Sequence, residues 1–160
     1  MSKKPTPRAL DDFDRAILRI LQKDNKTPQR QIAERVNLSA AAVQRRIAAM
    51  ENAGVIANNT AVVNVQAVRM SITAIVEIRL KDERIETVDN AKKLFHSAPE
   101  VQQCYYVTGG ISFILIVIAP DMSTYEEITR RLFAQNDSVA SYRSLIALDR
   151  VKAGSTIVIP

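Results

Sequence analysis

Residues 38–54, LSAAAVQRRIAAMENAG, carry the pattern of a short helix with one apolar face. At 100° per residue, three apolar side chains fall on one narrow stripe: Val43, Ile47 and Met50. Ser39 stands where a helix needs an N-cap, and Gly54 stands where a helix needs a left-handed residue after its end. The stretch therefore predicts a capped helix of about 14 residues.

The opposite side of this helix has an unusual composition. Its first turn is all alanine, so nothing bulky keeps another surface away, and Gln44 and Arg45 follow in the second turn. An α-helix fits the DNA major groove when its leading residues are small or make contacts themselves. Arginine and glutamine are the side chains that read guanine and adenine edges with two hydrogen bonds. The pattern favours a DNA-recognition helix, and a solvated helix with unrelated charges is the alternative.

Charge is concentrated in the same part of the chain. Residues 1–64 hold 11 lysines and arginines against six acids, whereas residues 65–160 hold 11 of each. The whole net charge of +5 therefore belongs to the first part. A basic segment joined to a neutral one indicates that the first part meets a polyanion. No apolar face backed by clustered lysines accompanies it, so nucleic acid is favoured over a membrane surface.

Composition narrows the class further. The 160 residues are 47% apolar, as in a folded globular protein, and no run of 18 apolar residues predicts a membrane span. The start, MSKKPTPRALDD, lacks the apolar core of a secretory signal, so we expect a cytoplasmic, nucleoid-associated protein. Cys104 is the sole cysteine, which excludes an intrachain disulfide, and we expect it to be buried in a strand.

The first half predicts a winged helix-turn-helix. Residues 1–9 are interpreted as a flexible arm; Asp11 caps a first helix, a second begins near Thr27, and a three-residue turn leads to the helix capped by Ser39. Residues 55–63 then predict a hairpin, the wing, around an Asn58-Asn59 turn. We place the DNA-binding domain at 1–57 and a wing and hinge linker at 58–70.

From Ser71 the apolar period changes from 3.6 to 2. Strand, helix, two strands joined at Gly109-Gly110, helix and strand follow in the order βαββαβ, which predicts a ferredoxin-like domain over 71–160. The fold class is α+β. The third strand of this domain, ISFILIVIA at residues 111–119, is apolar on both faces, although the helices of this fold cover one face of the sheet. We therefore expect a homodimer that covers the other face.

Several motifs give this sequence a family likeness. They are Leu10-Asp11-x-x-Asp14-x-x-Ile17-Leu18, Leu38-Ser39-x-x-x-Val43-x-x-Arg46-Ile47-x-x-Met50-Glu51-x-x-Gly54-Val55-Ile56, Pro99-Glu100-Val101, Val107-Thr108-Gly109 and Pro120-Asp121-Met122-Ser123-x-Tyr125. Together they resemble the Lrp/AsnC, or feast/famine, transcription regulators over residues 10–152. The resemblance implies a dimer that assembles into octamers or other higher oligomers, binds double-stranded DNA and is often tuned by a small amino acid or related metabolite.

The candidate DNA-binding residues lie at the start and on the outer side of the recognition helix: Ser39, Ala40, Ala41, Gln44, Arg45 and Arg46. Gln44 and Arg45 are interpreted as base-reading residues. Arg46 lies close to the buried stripe, which favours a phosphate contact or an ion pair within the domain. Ser39 is interpreted first as a cap and then as a phosphate ligand.

The candidate effector-binding residues are Thr108, Gly109, Gly110, Ser112 and Ser144. Family members commonly have acids at the positions held here by Gly110 and Ser112. Of the nearby acids, chiefly Asp121 and Glu126, we expect both to cap the next helix. An ammonium group needs an acid or several carbonyls when it is buried. We therefore expect weak or no binding of neutral amino acids here, unless an acid from elsewhere in the chain takes this role.

We therefore predict a sequence-specific DNA-binding regulator that a small metabolite can modulate. The alternative is a metabolite-binding module that controls a partner enzyme. No arrangement of residues supports catalysis, His96 has no second ligand at metal-binding spacing, and no glycine-rich phosphate loop is present, so we predict neither an enzyme nor a metal or cofactor.

Overall fold

The computed structural model describes residues 9–160, and the predicted arm lies almost wholly outside these residues. The chain forms two compact units. The first comprises the chain up to Val62 together with Lys152–Pro160, and the second comprises Val63–Val151. The last nine residues, which the sequence boundary assigns to the sheet domain, thus belong to the helical unit. No helix within 9–160 is long and apolar enough to cross a membrane.

Three helices build the first unit: α1 (Asp12–Leu21), α2 (Gln29–Val36) and α3 (Ala40–Asn52). Asp11 caps α1 and Ser39 caps α3, as predicted, with the Ser39 Oγ accepting a bond of 3.2 Å from the Ala42 N–H. The turn between α2 and α3 is made possible by Asn37, whose φ of 54° is left-handed. These two helices and their short turn confirm the helix-turn-helix.

One apolar core holds the three helices together. Each helix contributes fully buried side chains, with Ile17 from α1, Ile32 from α2, and Val43 and Met50 from α3. Gly54, with a φ of 70°, ends α3 as the sequence predicts. The stripe read from the sequence is therefore the face that packs into the core.

The predicted wing hairpin is absent from the structure. Residues 57–64 form no strand, and Val62 is 89% exposed. The reason lies at the end of α3, where the N–H groups of Val55 and Ile56 both donate to the Met50 carbonyl, at 2.9 and 3.2 Å. These two N–H groups are occupied in ending α3 and are not available to pair as the first strand of a hairpin.

The C-terminal segment binds to α1 through its backbone. The Gln22 side-chain amide donates to the Ile157 carbonyl at 3.1 Å and accepts from the Ile157 N–H at 3.0 Å. The Arg19 guanidinium donates to the carbonyls of Ile159 and Pro160. The side chains of Ile157 and Val158 stay exposed, so α1 recognises the backbone of this segment rather than its side chains.

The second unit contains a four-stranded antiparallel sheet with strand order β2-β3-β1-β4. Its elements are β1 (Ile72–Leu80), α4 (Ile85–Ser97), β2 (Val101–Tyr106), β3 (Phe113–Ala119), α5 (Met122–Thr129), a π-helical turn (Arg130–Ala134) and β4 (Val139–Ile146). This order confirms the βαββαβ arrangement and the α+β class. The two helices and alternate residues of the strands enclose a second apolar core, centred on Phe95, Phe113 and Phe133.

The register of β3 decides which of its two apolar faces is internal. Phe113 and Leu115 are fully buried in the core beneath the helices, whereas Ile114 and Ile116 lie on the open face and are partly exposed. On that open face, Ile75 lies between Ile116 on one neighbouring strand and Leu145 on the other. The open face therefore carries a row of apolar side chains that crosses three strands.

We expect a chain that ends at Gly154 to show faster hydrogen exchange in the last turn of α1. Truncation removes the backbone groups that Arg19 and Gln22 bind, and each exposed bond of this kind contributes of the order of 0.5–1 kcal/mol. The matched control, Ile157→Ala with Val158→Ser, keeps the backbone and should exchange like the parent. Equal exchange in the truncated and full-length chains would contradict this role.

Candidate functional site

The outward side of α3 forms one continuous exposed surface. It consists of Ser39, Ala40, Ala41, Gln44, Arg45 and Ala48, all of which are exposed. Its N-terminal end is smooth because alanine side chains end at Cβ, and its centre carries one amide and one guanidinium. This composition lets the helix approach a flat or grooved surface closely before the two longer side chains make contact.

Gln44 and Arg45 are available for intermolecular contacts. Neither side chain forms a hydrogen bond or an ion pair with any residue in the stretch 9–160. A ligand can therefore bind these two side chains without breaking a side-chain contact within the described residues. The structure thus places the two predicted base-reading residues side by side on an accessible surface.

Arg46 has a different role, although it is the next residue. Its Nη1 donates to Asp11 Oδ2 at 2.7 Å and to Asp14 Oδ1 at 2.9 Å, and its guanidinium lies 5.4 Å from the centre of the Phe13 ring. Of the two predicted roles, the ion pair within the domain is confirmed, and a DNA contact by Arg46 stays a prediction. The physical reason is the 100° step of the helix, which turns residue 46 from the solvent side towards α1.

The start of α1 is electrostatically matched to this arginine. Asp11 accepts from the Asp14 backbone N–H at 2.9 Å and from Arg46, and both contacts hold the pKa of the Asp11 carboxyl below its usual value. Asp14 is fully buried, and its Oδ1 accepts from Arg46 Nη1 at 2.9 Å. Because the pKa of Asp11 is lowered on folding, its contribution to stability is present at neutral pH and is lost as the solution becomes acidic.

The candidate effector turn lies between β2 and β3. Gly109 and Gly110 have φ values of 108° and 91°, a conformation that side chains other than glycine rarely adopt. Gly110 accepts from Arg79 Nε through its carbonyl at 2.9 Å. Ser112 is 1% exposed and bonds to the end of β1, donating its N–H to the Ile78 carbonyl and accepting the Leu80 N–H on its Oγ.

Sequence reasoning missed an acid at this turn. Glu83, in the connection between β1 and α4, accepts the Ser112 hydroxyl at 2.5 Å and the Tyr106 hydroxyl at 2.8 Å. The chain position of Glu83 gives no hint of this contact, because the sheet brings together the end of β1 and the start of β3 across about 30 residues. Asp121 caps α5 as expected, but Glu126 pairs with Arg130 at 3.0 Å and caps nothing.

Ser144 is not part of the turn. It pairs with Val76 on β1, four residues or ~13 Å along the strand from Leu80, which Ser112 contacts. Its hydroxyl accepts the Tyr125 hydroxyl at 2.6 Å in a cavity of about 370 Å³ between α5 and β4. Ser144 is therefore separate from the other predicted effector residues, because β4 lies at the far edge of the sheet from β2.

Cys104 is exposed, which corrects the expectation of a buried thiol, because β2 is an edge strand whose residues after Val101 are all open to solvent. Within the described chain, no group of three or more histidine, cysteine, aspartate or glutamate side chains is arranged to hold a metal ion.

We expect Arg46→Ala to lower the free energy of unfolding of the helical unit by about 1–3 kcal/mol. The substitution removes the arginine that faces the buried carboxylate of Asp14. Arg45→Ala is the matched control, since Arg45 has no partner within residues 9–160 and should leave the stability unchanged. Chemical denaturation of both variants measures the difference, and an equal loss in both would refute the assignment.

Two family profiles match the chain, and together they span most of it. A winged helix-turn-helix DNA-binding domain matches residues 10–57, and the Lrp/AsnC ligand-binding domain matches residues 73–157. The first match covers the three helices, and the second begins one residue into β1 and covers the sheet and its helices.

Relatives resemble the chain over nearly its full length. An HTH-type transcriptional regulator of Sinorhizobium fredii is 40% identical over 151 residues, which is 94% of this chain and 88% of the relative. The leucine-responsive regulatory protein of Escherichia coli is 29% identical over 158 residues, covering 99% of this chain and 96% of the relative. Both alignments extend across the two compact units.

Solved structures show the same fold. An AsnC family transcriptional regulator from Agrobacterium tumefaciens superposes with a TM-score of 0.87 at 30% identity, covering 93% of this chain and 97% of that one. A feast or famine regulatory protein from M. tuberculosis, complexed with L-methionine, superposes with a TM-score of 0.84 at 31% identity, covering 95% and 100%. The chain therefore belongs to the Lrp/AsnC family of transcriptional regulators and carries that family's helix-turn-helix DNA-binding domain and its ligand-binding domain.

Proposed function

We propose that the protein regulates transcription by placing α3 in the major groove of operator DNA, where Gln44 and Arg45 read base edges. The observation that carries the proposal is the contrast between Arg46, which is bound within the domain, and Arg45, which has no partner among residues 9–160. Ser39, Ala40 and Ala41 allow the helix to enter the groove closely. The protein would then act in the cytoplasm, at the chromosome.

We further propose that the protein binds DNA as a homodimer formed through the open face of the sheet. The apolar row of Ile116, Ile75 and Leu145 supports this, because an exposed apolar surface of this kind is costly in water. Next to it, Glu77 pairs with Arg143 at 2.7 Å, so the face carries a charge pair that is already neutral. A dimer engages two half-sites, and octamers or other higher oligomers would add further ones.

The third part of the proposal is that the sheet unit binds a small metabolite and thereby modulates DNA binding. The L-methionine complex of the M. tuberculosis relative supports it. The competing proposal, a metabolite-binding module that controls a partner enzyme, gives no reason for an exposed helix with alanines, glutamine and arginine. We propose no catalytic activity of its own for the chain.

A salt series separates these two proposals. Short duplexes that bind are first selected from a random pool, and affinity is then measured from 50 to 200 mM salt by fluorescence anisotropy. A DNA-binding regulator should prefer the selected duplexes and lose affinity steeply as salt rises, because bound phosphates release counterions. Equal, weak binding to selected and random duplexes at every salt concentration would favour the module instead.

We expect Arg45→Ala to reduce discrimination at one base pair of the selected site by about 1–3 kcal/mol, as the loss of one bidentate contact should. Binding to random DNA should change little. Arg35→Ala on α2 is a matched control, since it removes an exposed arginine from outside the recognition helix. If Arg45→Ala weakens selected and random DNA by the same factor, Arg45 does not read bases.

We expect Ile116→Asp to yield monomers with reduced operator affinity, because it places a charge in the apolar row of the open face. Leu115→Asp cannot serve this test, because Leu115 is fully buried in the chain's own core and its replacement would unfold the unit. Asn90→Asp, on the exposed side of α4, adds the same charge elsewhere. Light scattering decides the matter, and unchanged oligomers in Ile116→Asp would remove the argument for this interface.

A further inference from the structure

Glu83 is a carboxylate whose position is fixed from two strands. Ser112, at the start of β3, donates to its Oε1 at 2.5 Å, and Tyr106, at the end of β2, donates to its Oε2 at 2.8 Å. Ser112 is itself held by the backbone of β1 at Ile78 and Leu80. Both carboxylate oxygens are therefore oriented by groups that belong to the rigid sheet.

The charge of Glu83 is not neutralised by these contacts. Both donors are neutral hydroxyls, and no lysine or arginine within residues 9–160 forms an ion pair with this carboxylate. The hydrogen bond to Glu83 raises the pKa of Tyr106, so the phenol keeps the proton that it donates to the carboxylate. A positioned carboxylate of this kind can bind a cation without first ordering its own side chain.

Three acids of the sheet unit differ in this respect. Glu77, Glu100 and Glu126 pair with Arg143, Arg131 and Arg130, at 2.7, 2.7 and 3.0 Å. Glu83 accepts from two neutral hydroxyls, whereas each of these three acids is paired with an arginine guanidinium. Its charge is therefore available to a cation from outside the chain.

The glycine turn supplies space and donors beside this carboxylate. The Ser112 carbonyl accepts the Val107 N–H at 3.0 Å, which closes the loop of residues 108–111 at the residue that binds Glu83. A Cβ at Gly109 would meet nothing within 4 Å, and a Cβ at Gly110 would meet only the Arg79 guanidinium, at 3.7 Å. None of the four N–H groups of this loop donates to an acceptor within the described residues.

We propose that Glu83 is the anionic group of the effector site and that it binds the ammonium group of a small amino acid or amine at the glycine turn. This inference rests on the proposed effector binding by the sheet unit and adds the residue that selects the ligand. The acid expected at position 110 or 112 is thus supplied by a different segment, the connection between β1 and α4. A ligand that also carries a carboxylate can bind the free N–H groups of the turn.

The test is calorimetry of the full-length protein with L-methionine and two analogues. One analogue, 3-(methylthio)propylamine, lacks the carboxylate, and the other, 4-(methylthio)butanoic acid, lacks the ammonium. The other 19 amino acids are titrated in parallel. We expect binding of at least one amino acid or of the amine, with the butanoic acid much weaker; binding of the amine alone identifies simple amines as the ligand class.

Glu83→Gln keeps the shape and an acceptor oxygen but removes the charge, and we expect it to weaken binding of the ammonium-bearing ligand at least tenfold. Glu86→Gln, in the first turn of α4 and exposed, is the matched control and should bind like the parent. Tyr106→Phe tests the geometry separately: it leaves the charge and removes one of its two anchors, so we expect a smaller loss. Circular dichroism establishes that each variant is folded.

Two results would overturn the inference. One is equal affinity of Glu83→Gln and the parent for the same ligand, and the other is the absence of binding by any of the amino acids or the amine. Operator binding is measured on the same preparations. If operator binding persists while calorimetry detects no ligand binding, the effector proposal fails and DNA recognition stands. If operator binding is lost while Glu83-dependent ligand binding persists, the DNA-recognition proposal fails and the effector proposal stands.

Discussion

The contact of Arg46 with Asp11 and Asp14 is the constraint on which the DNA-binding surface depends. It joins the middle of α3 to the first turn of α1, more than 30 residues away in the chain. Because Asp14 is buried, the ion pair fixes the rotation of α3 about its own axis. Apolar packing is less directional and would define this rotation less precisely. With Arg46 turned inward, the helix geometry leaves Arg45 on the outside. Two neighbouring arginines thus have different surroundings: Arg46 is paired within the domain, and Arg45 is exposed to solvent.

Much of this arrangement could be predicted because local rules and packing agree. The caps at Asp11 and Ser39, the end of α3 at Gly54 and the order of strands all follow from patterns within one element. The family resemblance added the expected roles of the turn between β2 and β3. Predictions failed where a residue's surroundings depend on distant segments. The hairpin predicted for residues 55–63 was wrong because its first residues close α3, although the match to a winged helix-turn-helix domain stands. The burial predicted for Cys104 was wrong because β2 is an edge strand.

On the open face of the sheet, the sequence pattern of β3 does not identify which residues are external. The strand from Phe113 to Ala119 is apolar at every position, so alternation along it cannot tell the internal face from the external one. The choice is made by pairing with β1, whose own alternation is clearer and which aligns Leu115 with Val76 and Ile116 with Ile75. The sequence therefore predicts that a face needs a cover, and the register identifies the residues that need it.

The role of Glu83 was missed because its contacts come from segments that are distant in the sequence. Its neighbours in sequence, Asp82 and Arg84, suggest an ordinary charged connection, and Asp82 and Arg84 indeed pair with each other at 3.8 Å. The sheet, however, brings Ser112 and Tyr106 to this connection, and two neutral donors hold the carboxylate without cancelling its charge. In the helical unit the chain likewise neutralises Arg46 and leaves Arg45 exposed without a partner among the described residues. The same contrast, between a charge that the fold leaves unpaired and equivalent charges that it neutralises, supports both proposals: DNA phosphate and bases as the partner of the first unit, and an ammonium group as the partner of the second.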